Sequence, residues 1–226
     1  MDDVLRNAPL FSALDEEAAA ALRATMIEVS VDKGATVFSE GEPGDRMYVV
    51  LDGKVKLGVT SSDGRENLLG VQGPGEMFGE LSLFDPGPRT ATATALTDCV
   101  VLGLGHTDLR AWLTGRPEVA EALLQALAQR LRRTEDAMAD LVFSDVPGRV
   151  AKALLELGGK FGESDGPGDG VHVTHDLTQE ELAQLVGASR ETVNKALADF
   201  ASRGWIQLES RSVVLLDVDR LERRSR

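Results

Sequence analysis

The 226-residue sequence predicts an α+β chain in three parts. These are a β jelly roll or small barrel within residues 1–116, one long helix over 117–144, and a winged helix-turn-helix over 145–226. Three observations predict it. Short β-type runs alternate with Gly, Pro and Asp turn signals from Ser30 to Leu104, the spacing of short antiparallel strands. Pro117 then opens about 25 residues free of Gly and Pro and rich in Ala, Leu, Glu, Gln and Arg, all good helix formers. Last, two capped amphipathic runs flank Gly187.

Composition bounds what such a chain does. The 42% hydrophobic and 27% charged residues are those of a soluble globular protein. The start, Met1-Asp2-Asp3-Val4, is acidic and carries no apolar run, so no secretory signal is expected. No stretch reaches the roughly 20 apolar residues of a membrane span. The single Cys99 excludes a disulfide framework and an iron–sulfur cluster, and points to the cytoplasm. The net charge of −13 is unevenly spread. Residues 1–144 hold 13 basic against 23 acidic side chains, a balance of −10, while residues 145–226 hold 11 against 14, a balance of −3. Any nucleic-acid contact in the second part needs a local basic face.

In chain order, residues 1–28 read as short helices, with Ser12 or Asp15 capping a run that sets Leu14, Ala18, Leu22 and Met26 on one face. The strand runs are 36–38, 47–51, 55–59, 67–71, 90–95 and 100–104, with Asp52-Gly53 as a hairpin signal. Leu83-Phe84-Asp85-Pro86-Gly87 reads as a tight loop or short helix. Along the long helix Ala120, Leu124, Leu127, Leu131, Met138 and Leu141 follow steps of four and three, and Thr134 fills the one gap. That pattern is either a coiled-coil seam with one polar residue or a core helix with a tolerated Thr.

Beyond the hinge at 144–149, a helix with Val150, Leu154 and Leu157 is expected to stop at Gly158-Gly159, followed by a polar loop over 163–170. Thr178-Gln179-Glu180-Glu181 is a capping box, and Ser189 caps a second helix, 190–202. Val193, Leu197 and Phe200 form its inward stripe, with Arg190, Glu191, Asn194 and Lys195 together on the other side. Glu191 and Lys195 also fit a plain surface pair one turn apart. Residues 205–208 and 212–215 form a wing-like hairpin.

Chemistry concentrates in two places. In the barrel, a metal-dependent enzyme would need a His-rich ligand set, and residues 30–104 contain no His. His172 and His175 read as loop residues rather than a zinc pair. The informative residues are Phe78-Gly79-Glu80-Leu81-Ser82 and Pro88-Arg89-Thr90-Ala91-Thr92. Gly79 permits an unusual φ, Glu80 and Ser82 supply an acceptor and a hydroxyl, and Arg89 supplies a guanidinium suited to phosphate. Backbone N–H groups near Leu81 and Ser82 suit an anion. A simple Glu80–Arg89 ion pair is the competing reading. The second place is the pair of capped helices, whose outer residues match base-edge chemistry in the major groove.

The two barrel segments resemble the phosphate-binding cassette of cyclic-nucleotide-binding domains. Gly187-Ala188-Ser189-Arg190-Glu191-Thr192-Val193 resembles the turn and recognition helix of the CRP/FNR family of bacterial transcription regulators, and the order of parts resembles that family's throughout, its actinobacterial cAMP receptor proteins above all. The resemblance implies that Glu80 takes a ribose 2′-hydroxyl, that Arg89 and Thr90 take a cyclic phosphate, and that Gly79, Leu81 and Ser82 line it. It implies that Thr134 reaches a purine amino group, with Glu135 standing where the best-known members have Ser. It further implies cAMP rather than cGMP as effector and a cytoplasmic homodimer on near-palindromic DNA, with RNA polymerase as a partner. Arg190 would read guanine, Glu191 would accept from cytosine, and Lys195 would reach a second guanine or a phosphate, with Asn194 on the same face. Thr178 and Ser189 would touch phosphates. Family members commonly have Arg where Lys195 stands. Two other readings compete: a cyclic-nucleotide sensor working through a protein partner, and a regulator that binds DNA without ligand. No nucleophile–base pair suggests an enzyme.

Overall fold

The computed structural model describes residues 3–12, 14–85, 87–164, 166 and 170–226. Met1, Asp2, Pro86, Asp165 and residues 167–169, named in the expectations above, lie outside these. The chain forms two compact units, Met1–Val59 with Leu69–Arg133, and Thr60–Leu68 with Thr134–Arg226. The division falls inside the long helix.

The first unit begins with α1 (Asp3–Asn7), α2 (Pro9–Ser12) and α3 (Glu16–Thr25). Of the two candidate caps for α3 it is Asp15 that serves, its carboxylate accepting from Ala18 N–H at 2.8 Å. Strand β1 (Ile27–Val31) starts at once, three residues earlier than the change of period suggests. The strands β2 (Thr36–Phe38), β3 (Arg46–Asp52), β4 (Val55–Thr60) and β5 (Glu66–Gln72) follow, the last residue of β4 and the first three of β5 counting with the second unit, then β6 (Met77–Phe78), the short α4 (Leu81–Phe84), β7 (Thr92–Ala95) and β8 (Cys99–Gly105). They make two four-stranded sheets, ordered β1-β8-β3-β6 and β2-β7-β4-β5. This is the expected jelly-roll layering.

Strand β3 explains why its sequence is apolar at nearly every position. Val50 packs with Phe38, Val55, Phe78 and Val101 in the core shared by the two sheets. Met47 and Val49 point the other way, onto Leu5, Phe11, Leu22 and Leu109. A strand buried on both faces shows no alternation of polar and apolar residues. The helical layer is completed by α5 (His106–Gly115), which sends Leu109 inward and lays Trp112 against the same cluster.

Helix α6 (Pro117–Phe143) has the bounds its composition predicts. Its first turns are anchored by Val119 and Leu123, almost wholly buried. The seam positions differ: Leu124, Leu131, Met138 and Leu141 are 57–67% exposed, while Ala120 and Leu127 are half-buried. Four positions so exposed are not those of a core helix.

In the second unit α7 (Val146–Phe161) is capped by Asp145, which accepts from Gly148 N–H at 2.9 Å and from Arg224 at 2.8 and 2.6 Å. The Arg224 guanidinium, more than any other group, holds this carboxyl below the usual carboxylate range. Contrary to the expected stop at Gly158-Gly159, α7 continues two residues further. Gly158 is placed there for packing, since a Cβ would meet the Leu215 side chain at 2.8 Å. The expected polar loop is bounded by strands β9 (Gly162–Glu163) and β10 (Val171–Thr174). His172 therefore lies on a strand, paired through Nε2 with Glu209 at 3.0 Å. His175 is buried, its Nδ1 accepting from Leu177 N–H at 3.1 Å. His172 thus departs from the loop the sequence suggests, whereas His175 does lie in a loop, the one between β10 and α8.

Helices α8 (Gln179–Val186) and α9 (Arg190–Ser202) follow, then β11 (Ile206–Glu209), β12 (Ser212–Leu215) and α10 (Val218–Arg224). The sheet order β11-β12-β10-β9 turns the wing into part of a four-stranded layer. Gly187, at φ +69°, closes α8 in the left-handed conformation. Phe200 and Trp205 stack at 5.3 Å between ring centroids, joining α9 to the wing.

Candidate effector pocket and nucleic-acid interface

The pocket of the first unit grows from one unusual glycine. After the two-residue strand β6, Gly79 takes φ +75°, which lets the chain turn into α4. A Cβ there would stand 2.8 Å from Arg89 Nη1 and 3.1 Å from the Phe38 ring. Gly79→Ala should therefore lower the unfolding free energy by about 1–2 kcal/mol from backbone conformation alone. It should also displace Arg89; urea melts and effector titration of the same variant measure the two effects.

Arg89 is 4% exposed. Its Nη1 donates to Gly79 O at 2.7 Å and its Nη2 to Arg46 O at 2.8 Å. The guanidinium carbon lies 4.1 Å from the Phe38 ring centroid. Burial, above all, pushes its pKa down. Glu80 is 2% exposed, and its Oε1 accepts from Arg130 Nη1 at 2.6 Å. The Glu80–Arg89 ion pair is thus replaced by two separate arrangements, a carboxylate held by α6 and a guanidinium held by carbonyls. Glu80 Oε2 and Arg89 Nε are buried without a partner. Both residues line one concave space with Gly79, Leu81, Ser82 and Thr90, and with Phe38, Leu57, Ala91 and Arg130. Leu81 and Thr90 are exposed, and Ser82 is buried against Gly44, where a Cβ would collide with it.

Six of the expected ligand residues therefore meet in one pocket. Thr134 and Glu135 are exposed residues of α6 that belong to the second unit. Arg130 and Phe38 join the pocket from outside the two sequence segments that mark it. Arg130 had one available signal, its position a single helical turn before Thr134.

The second unit presents the other surface. Thr178 and Glu181 form the complete capping box: Glu181 N–H donates to Thr178 Oγ1 at 3.1 Å, and Thr178 N–H donates to Glu181 Oε2 at 2.7 Å. The Thr178 hydroxyl also donates to that carboxylate, at 2.8 Å, so its expected phosphate contact competes with the cap. Ser189 caps α9 through Thr192 N–H at 3.3 Å. Arg190, Glu191 and Lys195 are exposed along the first turns of α9. Lys195 Nζ donates to Glu191 Oε1 at 2.8 Å, with both side chains more than 70% exposed. Such a pair contributes only about 0.3–0.5 kcal/mol and opens readily for other partners. Asn194 departs from the expected outer face: it is half-buried and its Oδ1 is buried without a partner. At four residues past Arg190 it sits at the edge of the inward stripe, which draws its amide toward the protein.

Comparison with known proteins bears on both surfaces. Residues 28–115 match the cyclic nucleotide-binding domain family, and residues 148–224 match the Crp-like helix-turn-helix domain family. The chain is 57% identical over 226 residues, all of both chains, to the CRP-like cAMP-activated global transcriptional regulator of Mycobacterium tuberculosis. It is 35% identical to the cyclic AMP receptor protein of Thermus thermophilus, covering 96% of this chain and 97% of that one. Among solved structures, FixK2 of Bradyrhizobium japonicum superposes with a TM-score of 0.79 at 27% identity, over 89% of this chain and 98% of that one.

Proposed function

Because the chain belongs to the CRP/FNR family of transcription regulators, we propose that cAMP is the cyclic nucleotide it answers to and that it acts as a homodimer on near-palindromic DNA. The observation that carries the effector reading is the pair of buried, half-satisfied charged groups in one pocket, Glu80 Oε2 and Arg89 Nε. A buried charge lacking a counter-charge is costly, and a bound cyclic phosphate supplies an anion to Arg89. Glu80 accepts from the ribose 2′-hydroxyl, Thr90 donates to the phosphate, and Gly79, Leu81 and Ser82 close around it. Thr134 and Glu135 meet the purine, whose exocyclic amine donates to them. The cAMP-activated name of the Mycobacterium tuberculosis relative supports the same choice.

The exposed seam positions of α6 support the dimer, because a second copy buries Leu124, Leu131 and Met138 against their equivalents and the outer side of Leu141 with them. The pairing places two α9 helices about 34 Å apart, one turn of DNA. Arg190 reads guanine, Glu191 cytosine, and Lys195 a second guanine or a phosphate. Ser189, Thr178 and Asn194 support the contact from the helix ends and flank. The setting is cytoplasmic, and RNA polymerase is the partner that reads the bound dimer. The effector acts by binding the DNA-competent arrangement more tightly than the other.

Titrating the protein into a labelled palindromic duplex at one fixed salt concentration, with cAMP, with cGMP and with neither, tests this. Specific binding strengthened by cAMP alone is expected. Specific binding indifferent to both nucleotides would sink the effector assignment while leaving the DNA reader.

A further inference from the structure

Arg149 has no part in the function described so far, yet its three donor-bearing nitrogens go to three different carbonyls. In the first turn of α7, its Nη1 donates to Ser144 O at 2.8 Å, its Nε to Val186 O at 3.1 Å and its Nη2 to Gly187 O at 3.3 Å. Ser144 follows the last residue of α6, while Val186 and Gly187 end α8 and open the turn that leads to Ser189 and Arg190. In that turn Gly187 N–H donates to Gln184 O and Ala188 N–H to Ala183 O. The carbonyls of Val186 and Gly187 are among those that a helix C-terminus leaves without an internal partner. A cation satisfies them and also suits the negative end of the helix dipole. One planar guanidinium therefore joins the C-terminal ends of two helices.

A separate contact makes the same connection. A Cβ at Gly187 would lie 3.2 Å from Leu141 Cδ2, so the last apolar seam residue of α6 sits directly over the turn. Asp140, beside it, pairs with Lys152 of α7.

We propose that Arg149 is a positioning residue for DNA recognition, fixing the turn before α9 to the last turn of α6 and so setting how α9 enters the groove. The proposal rests on the helix-turn-helix being the DNA reader and needs no effector. It also explains the residue type. The fork of Arg reaches three carbonyls in one fixed plane, whereas the ammonium of Lys is a point charge on a flexible stem. A turn that shifts moves Arg190 off its base edge, while contacts to phosphates, being largely electrostatic, survive small displacements.

The test starts from a duplex enriched by the wild-type chain from a random pool. Affinities for that duplex and a scrambled one are then measured at one salt concentration for wild type, Arg149→Lys and Arg149→Met. The expected result for Arg149→Lys is a selected-to-scrambled ratio reduced about tenfold, the scale of one base contact, with scrambled-duplex affinity and its salt slope within twofold of wild type. A ratio within twofold of wild type in the folded Arg149→Lys protein overturns the proposal. So does an equal loss on both duplexes, which is the mark of a residue that only stabilises the fold. In the wild-type chain the Arg149 Nε–H should exchange slowly with solvent by nitrogen-15 NMR. Exchange at the rate of a free arginine overturns the proposal even if neither variant folds. A wild-type chain that enriches no duplex removes the DNA reading itself, and the proposal with it.

Discussion

Arg89→Ala should abolish the response to cyclic nucleotide while the first unit remains folded. A charge-assisted contact to phosphate is among the stronger single interactions in a binding site, about 1.5–3 kcal/mol, or roughly 10–150-fold in affinity. Removal of the guanidinium also leaves the Gly79 and Arg46 carbonyls without their donors. Against that loss stands the removal of a charge that is 4% exposed and held directly by two carbonyls and the Phe38 face, with the Asp45 and Glu42 carboxylates acting on it from further away. Deleting such a charge recovers its desolvation cost, so stability is expected to change far less than binding. Isothermal titration with cAMP, paired with a thermal melt of the same sample, separates the two. A variant that still binds cAMP with wild-type affinity removes Arg89 from the site.

Arg190→Ala should erase most sequence preference without touching effector affinity. Arg190 is the first residue of α9 after the Ser189 cap and is exposed, which leaves its fork available to guanine. Loss of one bidentate base contact costs about 1–3 kcal/mol of discrimination, roughly 5–150-fold between a specific and a scrambled duplex. Binding to the scrambled duplex should fall only by the share of one cation, seen as a salt slope smaller by about one. Fluorescence anisotropy on both duplexes at several salt concentrations reads both quantities. Undiminished discrimination would show that base reading lies elsewhere on α9 or on the wing.

The parts of this molecule that were legible in its sequence are those marked by local punctuation. Pro117, Thr178 with Glu181, Gly187 and Ser189 each fix a helix end through their own backbone chemistry, so α6, α8 and α9 fall where the sequence puts them. Strands β6 and β9 are two residues long, and α5 and α10 carry weak periodicity; their existence depends on the surfaces they pack against. The same holds at the pocket. Gly79, Glu80 and Arg89 are neighbours in a compact motif, but Arg130 reaches Glu80 from fifty residues away, and sequence spacing carries no trace of such a contact. Asn194 shows the opposite failure: its spacing places it beside Arg190, yet its amide oxygen turns inward. Helical phase gives a direction, and packing decides what a side chain at the boundary does with it.

The two tryptophans fall one to each unit, Trp112 against the helical layer of the first and Trp205 stacked on Phe200 in the second. Indole emission responds to its immediate surroundings, so the chain carries a separate optical reporter for each half. With Trp205→Phe, fluorescence follows only the half that holds the Arg89 pocket; with Trp112→Phe, only the half that carries α9. Denaturation curves of the two variants, each run with and without cyclic nucleotide, would then tell whether ligand added to one half raises the unfolding midpoint of the other. That quantity is the thermodynamic coupling on which any ligand-controlled regulator depends.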